Sequence, residues 1–303
     1  MKRLVLIAVT VLAQHAQAAV SVRDDYGHRV ELAAPAARIV SLAPNLTELL
    51  YAAGAGARVV GAIAYSDYPP AARGLPRVGS DAGIDLEAVL ALEPDLVVAW
   101  PNPGSVRAIE RLASLGIAVY RSEPRSFEDI ARTLERLGVL AGTGAAADAA
   151  ARAFRARVAR LGRKYSKRTP VRVFYEVWGR PIVTVNGEHL ISKVIRLCGG
   201  VNVFAHLPRI APQIDREAVL RADPQVIVAS GPDAERPAWL DAWKAFPGLA
   251  AAARGHLYTI PPDLIERQST RILDGAERMC RILQAVRSDG ARSAPAGPNS
   301  ARR

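Results

Sequence analysis

A sixteen-residue segment occurs twice in this chain, 130 residues apart, and that repeat restricts the fold more than any other feature. Ile84-Asp85-Leu86-Glu87-Ala88-Val89-Leu90 with Glu93-Pro94-Asp95-Leu96-Val97-Val98-Ala99 returns as Ile214-Asp215-Arg216-Glu217-Ala218-Val219-Leu220 with Asp223-Pro224-Gln225-Val226-Ile227-Val228-Ala229. Nine of the sixteen positions are identical. In each copy an Asp caps a short helix, an acid-Pro pair stops it, and an apolar run without alternation follows. Such a run is a strand buried on both faces, as in a parallel sheet covered by helices. The predicted fold class is therefore α/β, with two similar lobes built on central, mostly parallel sheets.

The remaining segments fit that frame. Arg38 to Leu42 and Val59 to Ile63 read as strands around a helix from Thr47 to Ala53 that ends at Gly54. Val106 to Leu115, Gly116 and Ile117 to Tyr120 read as helix, glycine, strand, with His256 to Ile260 after Gly255 as the counterpart. Val171 to Val177 opens the second lobe after Pro170, and Val20 to Leu32 reads as a hairpin turning at Tyr26-Gly27. Between the lobes, Ala147, Ala150, Phe154, Val158, Leu161 and Tyr165 recur at helical spacing within an Ala-rich stretch from Thr143 to Lys167. At ~1.5 Å per residue that helix is roughly 35 Å long, a stiff rod rather than a flexible linker. The expected organisation is a first lobe over 19–141, one long rigid connecting helix within 142–169, a second lobe over 170–287, and a disordered tail over 288–303 rich in Ser, Gly, Pro and Ala.

Residues 1–18 read as a cleaved secretory signal peptide: basic Lys2 and Arg3, an apolar run from Leu4 to Ala13, and an Ala16-Gln17-Ala18 cleavage site. No cysteine follows that run to carry a lipid, and no later segment is apolar enough to span a bilayer, so the expected location is the periplasm. Half the residues are apolar, enough for a well-packed core. The net charge of +11 is spread singly over Arg residues with only 6% aromatics to interleave, which argues against nucleic acid and for a diffuse basic surface.

Only Cys198 and Cys280 are present. In an oxidising compartment such a pair reads as one structural disulfide, the alternative being two buried thiols. Two cysteines without paired histidines do not make a metal site. Gly142-Thr143-Gly144-Ala145-Ala146-Ala147 matches a dinucleotide fingerprint on paper but follows a helical pattern instead of a strand, so it reads as a helix stop and a new cap. His28, His189, His206 and His256 lack metal-ligand spacing, and no nucleophile-base pair is visible, so no enzymatic role is expected. The histidines read as loop or surface residues, the alternative being that His189 or His206 touches a ligand from a second-lobe loop.

Tyr65, Trp100 and Trp178 each follow the end of an expected strand. Ligands of open α/β sheets bind beyond the carboxyl ends of strands, so these rings are expected on the rim of a cleft. Glu87 and Glu217 hold the same place in the two copies of the repeat. One acid per lobe suits docking on a two-fold partner that carries arginine pockets.

With these residues in hand, the chain from about Asp25 to Gln284 resembles the periplasmic substrate-binding proteins whose lobes are joined by one long helix. Arg38 to Pro44 with Thr47-Glu48, and Glu87 through Val97, carry the class-wide likeness. Tyr65-Ser66-Asp67-Tyr68-Pro69-Pro70, Leu112 to Ile117, Cys198-Gly199-Gly200 with Asn202 and Phe204, and Asp263 to Arg267 are similar to the vitamin B12-binding branch. The resemblance implies a monomer that takes cobalamin or a related corrinoid as transported ligand, with no cofactor of its own, and passes it to the permease dimer of an ABC importer. It implies that Tyr65, Asp263, Leu264, Ile265, Glu266 and Arg267 contact the corrinoid, that Cys198 and Cys280 are bridged, and that Glu87 and Glu217 dock on permease arginines. Asp81 and the region of Ala211 stand where a well-known member has tryptophans, and Asp263-Leu264-Ile265 lacks that member's aromatics. A ferric siderophore or haem is the alternative cargo, for which Arg209, Tyr65 and His206 are the residues of interest.

Overall fold

The computed structural model describes residues 19–80, 82–231 and 237–293; the expected signal peptide, Asp81 and residues 294–303 lie outside them. In the first lobe, strands β1 (Val20–Arg23) and β2 (Arg29–Leu32) form the antiparallel hairpin. The central strands are β3 (Ile39–Ser41) and β4 (Val59–Ala62), followed by the small pair β5 (Gly79–Ser80) and β6 (Gly83–Ile84), then β7 (Leu96–Ala99) and β8 (Ala118–Arg121). Their sheet runs β4-β3-β7-β8, every neighbour parallel. The second lobe has β9 (Val171–Glu176), the antiparallel pair β10 (Trp178–Gly179) and β11 (Ile182–Val183), then β12 (Gly200–Asn202), β13 (Val226–Ser230) and β14 (Leu257–Ile260). Its parallel sheet runs β12-β9-β13-β14. Both sheets thus place their strands in the order second, first, third, fourth, and the sequence repeat is the shared helix and third strand of one duplicated topology.

The repeat folds alike for local reasons. Asp85 Oδ1 accepts from Ala88 N at 3.0 Å to cap α2 (Leu86–Ala91), and Asp215 Oδ1 accepts from Ala218 N at 2.6 Å to cap α7 (Arg216–Ala222). Each helix is followed by an acid with left-handed backbone, Glu93 at φ +44° and Asp223 at φ +36°. The next residue is Pro, whose ring disfavours helical backbone before it, so neither helix continues. The strands that follow are buried along Leu96–Ala99 and at 226–229, as the unalternating pattern requires.

The other helices of the first lobe are α1 (Pro44–Ala52), α3 (Val106–Ser114) and α4 (Phe127–Leu140). Helix α1 begins three residues before the expected Thr47, because Pro44 supplies a preset φ at the first turn. The connecting helix α5 (Gly144–Tyr165) has 22 residues and spans roughly 33 Å. Ala147, Ala151, Phe154 and Leu161 are its buried stripe. It lies close on α4, where a Cβ on Gly138 would come within 2.2 Å of the Ala147 Cβ. Arg155 bonds Glu128 and Glu135 on α4, while Arg157 bonds Asp274 and Glu277 on the C-terminal helix (Ile272–Ser293). Thr143 takes the cap position, but its hydroxyl makes no capping bond.

One apolar core continues from Leu46 and Leu134 of the first lobe through Phe154 and Leu161 to Ile195 and Leu283 of the second. The outer faces of the two sheets have separate cores, around Val97 and Ile109 in one lobe and around Phe174 and Trp243 in the other. Cys198, which follows α6 (Leu190–Leu197), is bridged to Cys280 of the C-terminal helix. Closing a loop with a sequence separation of 82 stabilises the fold, by ~4 kcal/mol in a chain-entropy treatment. Part of the stretch expected as a tail from Ser288 is helix. Residues 288–293 are still helical, held by Ser288 Oγ on Gln284 O and by Arg292 beside Asp289, which also reaches His256.

Candidate functional site

In a sheet ordered second, first, third, fourth, the chain leaves the first and third strands in opposite directions and opens a crevice at their carboxyl ends. Trp100 directly follows β7, a third strand, and Trp178 follows β9, a first strand with Val177 between. Between the lobes lies a hollow of ≈430 Å³, within the ~300–1,000 Å³ range of small-molecule sites. Trp100, Glu123 and Arg125 line it from the first lobe; Val185, His189 and Glu266 line it from the second. Hollows of ≈550 and ≈640 Å³ occur elsewhere, but neither has a wall from the first lobe.

The three predicted rings are exposed: Tyr65 by 64%, Trp178 by 59% and Trp100 by 40%. Trp100 is in the wall of the hollow itself. Trp178 and Tyr65 are not among the residues that line it; the Trp178 indole N–H donates to Arg180 O at 3.0 Å, beside Val177, which does line it. Tyr65 is at the seam between lobes, with left-handed backbone at φ +62°. For a residue with a side chain that conformation costs ~1–3 kcal/mol and persists only where surroundings impose it. Below it, Ser66 is buried, its Oγ 3.0 Å from Thr47 Oγ1, which is 2.9 Å from Ser41 Oγ at the end of β3.

The stretch 263–267 behaves differently at each residue. Glu266 lines the hollow, and its carboxylate meets Ser230 Oγ, which is 2.6 Å from the Tyr175 hydroxyl. Burial pushes the Glu266 carboxyl up, opposed by the Ser230 hydrogen bond. Asp263 is partly exposed and pairs with Arg267 at 2.9 Å. Leu264 packs against the shared core. Ile265, expected at the ligand, is 1% exposed and packs against the C-terminal helix, where the absence of a side chain at Gly275 admits the Leu264 carbonyl and the Ile265 Cβ.

Arg267 is bound into an inter-lobe ion network. Its Nη1 donates to Glu48 Oε1 at 3.0 Å and to Asp67 Oδ1 at 3.1 Å, both on the first lobe. Glu48, buried on α1, also accepts from Arg271 Nη1 at 3.1 Å and from Ser269 Oγ. Arg271 in turn stacks 4.1 Å above the Tyr68 ring. Burial disfavours the charged Asp67 carboxylate, but the Arg267 guanidinium outweighs that and holds its pKa below the usual range. A second bridge joins the lobes where Lys193 Nζ donates to Arg125 O at 2.5 Å.

His189 caps α6, its Nδ1 accepting from Ile191 N at 3.1 Å, and burial lowers its pKa to about 4. It is thus a neutral ring in the wall of the hollow. The network around Glu48 and the cap at His189 escape sequence reasoning. Their only sequence signals are Glu48 within an apolar helix and His189 before an apolar run. His206 and Arg209 do not line the hollow, and among the described residues no group of three metal-ligating side chains is present. Glu87 and Glu217 are exposed in the first turns of α2 and α7, and neither forms an ion pair among the described residues.

Known proteins share this arrangement. A family model described as periplasmic binding protein matches residues 39–264. The vitamin B12-binding protein of Vibrio cholerae serotype O1 is 38% identical over 250 residues, which is 82% of this chain and 90% of that protein. The vitamin B12-binding protein of Photorhabdus laumondii is 39% identical over 246 residues, 81% of this chain and 87% of that one. The crystal structure of the periplasmic vitamin B12 binding protein of Vibrio cholerae matches with a TM-score of 0.75 at 36% identity, covering 84% of this chain and 98% of that one. A periplasmic heme-binding protein from Roseiflexus sp. RS-1 shares the fold at 21% identity, with a TM-score of 0.71 over 82% of this chain and 98% of that one. The family model spans most of the chain and the relatives are 38–39% identical over more than four fifths of it: the chain belongs to the periplasmic binding protein family.

Proposed function

We propose that this protein is a periplasmic receptor that holds vitamin B12 or a related corrinoid between its lobes and delivers it to an inner-membrane ABC importer. The observation that carries the reading is the match to vitamin B12-binding proteins, 38% over 250 residues, with Trp100 facing the inter-lobe hollow. A corrinoid presents a broad, partly apolar macrocycle fringed by amides. Tyr65, Trp100 and Trp178 supply flat apolar area with little side-chain entropy to lose. Asp263 and Glu266 supply polar groups for the amide fringe. Glu87 and Glu217, one per lobe, are the acids for arginine pockets on a two-fold permease.

Parallel calorimetric titrations with cyanocobalamin, haem and a ferric hydroxamate siderophore test this. Saturable one-to-one binding of cyanocobalamin at micromolar protein, at least tenfold tighter than either iron chelate, is the expected result. Tighter binding of haem or siderophore overturns the cargo assignment.

A further inference from the structure

Two facts about Tyr65 belong together. Its ring is exposed at the seam, and its backbone is held in a left-handed conformation that needs external support. Part of that support comes from its own lobe, through the hydroxyls of Ser66, Thr47 and Ser41. The rest crosses the cleft: Arg267 Nη2 donates to the Tyr65 carbonyl oxygen at 3.2 Å, while Nη1 holds Asp67 two residues on. One guanidinium therefore grips the backbone and a side chain of the same short turn.

Arg267 is itself immobilised. Glu48 has a side chain only 1% exposed, and a carboxylate so buried needs a cation beside it. Arg267 and Arg271 both provide it, with Ser269 on the other oxygen. Asp263 takes the outer edge of Arg267 at 2.9 Å, and the side chain retains 16% exposure. The donors of its two Nη atoms are thus directed at four groups of the protein.

We infer that Arg267 is a positioning residue: anchored on Glu48, it fixes the Tyr65–Asp67 turn of the opposite lobe and so presents the Tyr65 ring to the ligand, preorganised before the ligand arrives. This rests on the reading of Tyr65 as a ligand-facing ring. Only arginine suits the role, because its planar fork serves two acceptors at once, whereas a lysine ammonium keeps the charge beside Glu48 without that fixed span.

Amide hydrogen exchange on the ligand-free protein tests the positioning directly. Ala64 N donates to Gly79 O at 3.0 Å and Ser66 N to Ile63 O at 3.4 Å, so both amides report on the turn. In Arg267→Lys these two amides are expected to exchange at least tenfold faster than in the parent, with β3 and β7 unchanged and the melting temperature within about 4 °C. Unchanged exchange at Ala64 and Ser66 overturns the inference. A thermodynamic cycle with cyanocobalamin supplies the functional half. Arg267→Lys is expected to weaken binding five- to tenfold beside Tyr65, and less than twofold in a Tyr65→Ala background. Equal losses in both backgrounds mean that Arg267 touches the ligand itself, which also overturns the inference. Should the parent protein bind no cyanocobalamin, the cargo assignment falls, and the exchange measurement still decides the role of Arg267.

Discussion

Glu176 shows how much one buried group decides. It ends β9, is almost fully buried, and accepts from Trp243 Nε1 at 2.9 Å. Burial lifts its pKa to about 7, against the pull of that hydrogen bond. The folded pKa is thus above the unfolded value of ~4.3, so the folded state holds the proton more tightly. Its stabilising effect is complete below about pH 4 and is lost as pH rises through about 7. At ~1.4 kcal/mol per unit, ionisation removes about 3 kcal/mol by pH 8. Glu176→Gln keeps an acceptor for the indole and cannot ionise. Urea unfolding is expected to show it about 2–3 kcal/mol more stable than the parent at pH 8 and nearly equal to it at pH 4. A difference that does not vary with pH contradicts this account. At the same scale, Trp100 is legible in the sequence because it directly follows a doubly buried strand. The resemblance names Arg267 as a site residue, but its ion network is not legible, because its partner Glu48 is 219 residues away and no local pattern connects them.

Among the elements, the two short helices α2 and α7 carry the docking hypothesis. Each is only a turn or two long, capped by an Asp and ended by an acid-Pro pair, so each presents its exposed glutamate from a fixed position on its lobe. Glu87→Arg with Glu217→Arg is expected to abolish corrinoid uptake in cells while cyanocobalamin affinity stays within twofold, because neither residue lines the hollow. Uptake at the parent rate refutes the docking role, and a matching loss of affinity refutes the separation of docking from binding. Element type and order are legible because the helix and strand periods differ and the repeat fixes their sequence. Boundaries are less so. Pro44 extends α1 toward its start, and the pairing of Asp289 with Arg292 and His256 carries the last helix past the Ser, Gly and Ala that read as a tail.

On the scale of the molecule, the lobes share one apolar core through α5, and two polar bridges cross the seam in front of it. Large opening would have to break that core as well as the Glu48 network, so binding is expected to proceed by small adjustments of loops around a nearly fixed cleft, unlike a hinge-type receptor. The duplicated α/β architecture is legible from the repeat and the long apolar stripe of α5. The cleft wall is only half legible. Trp100 comes from a strand end, while Arg125, His189 and Ile210 come from loops and caps whose places depend on packing.

The central claim is that this cleft retains a corrinoid. The most direct measurement is the visible spectrum of the purified protein after incubation with cyanocobalamin and passage through a desalting column. Corrinoid absorbance is expected to elute with the protein at one equivalent per chain, and Trp100→Ala to lower that retention. Corrinoid emerging wholly in the salt fraction, with the protein folded and colourless, would contradict the claim.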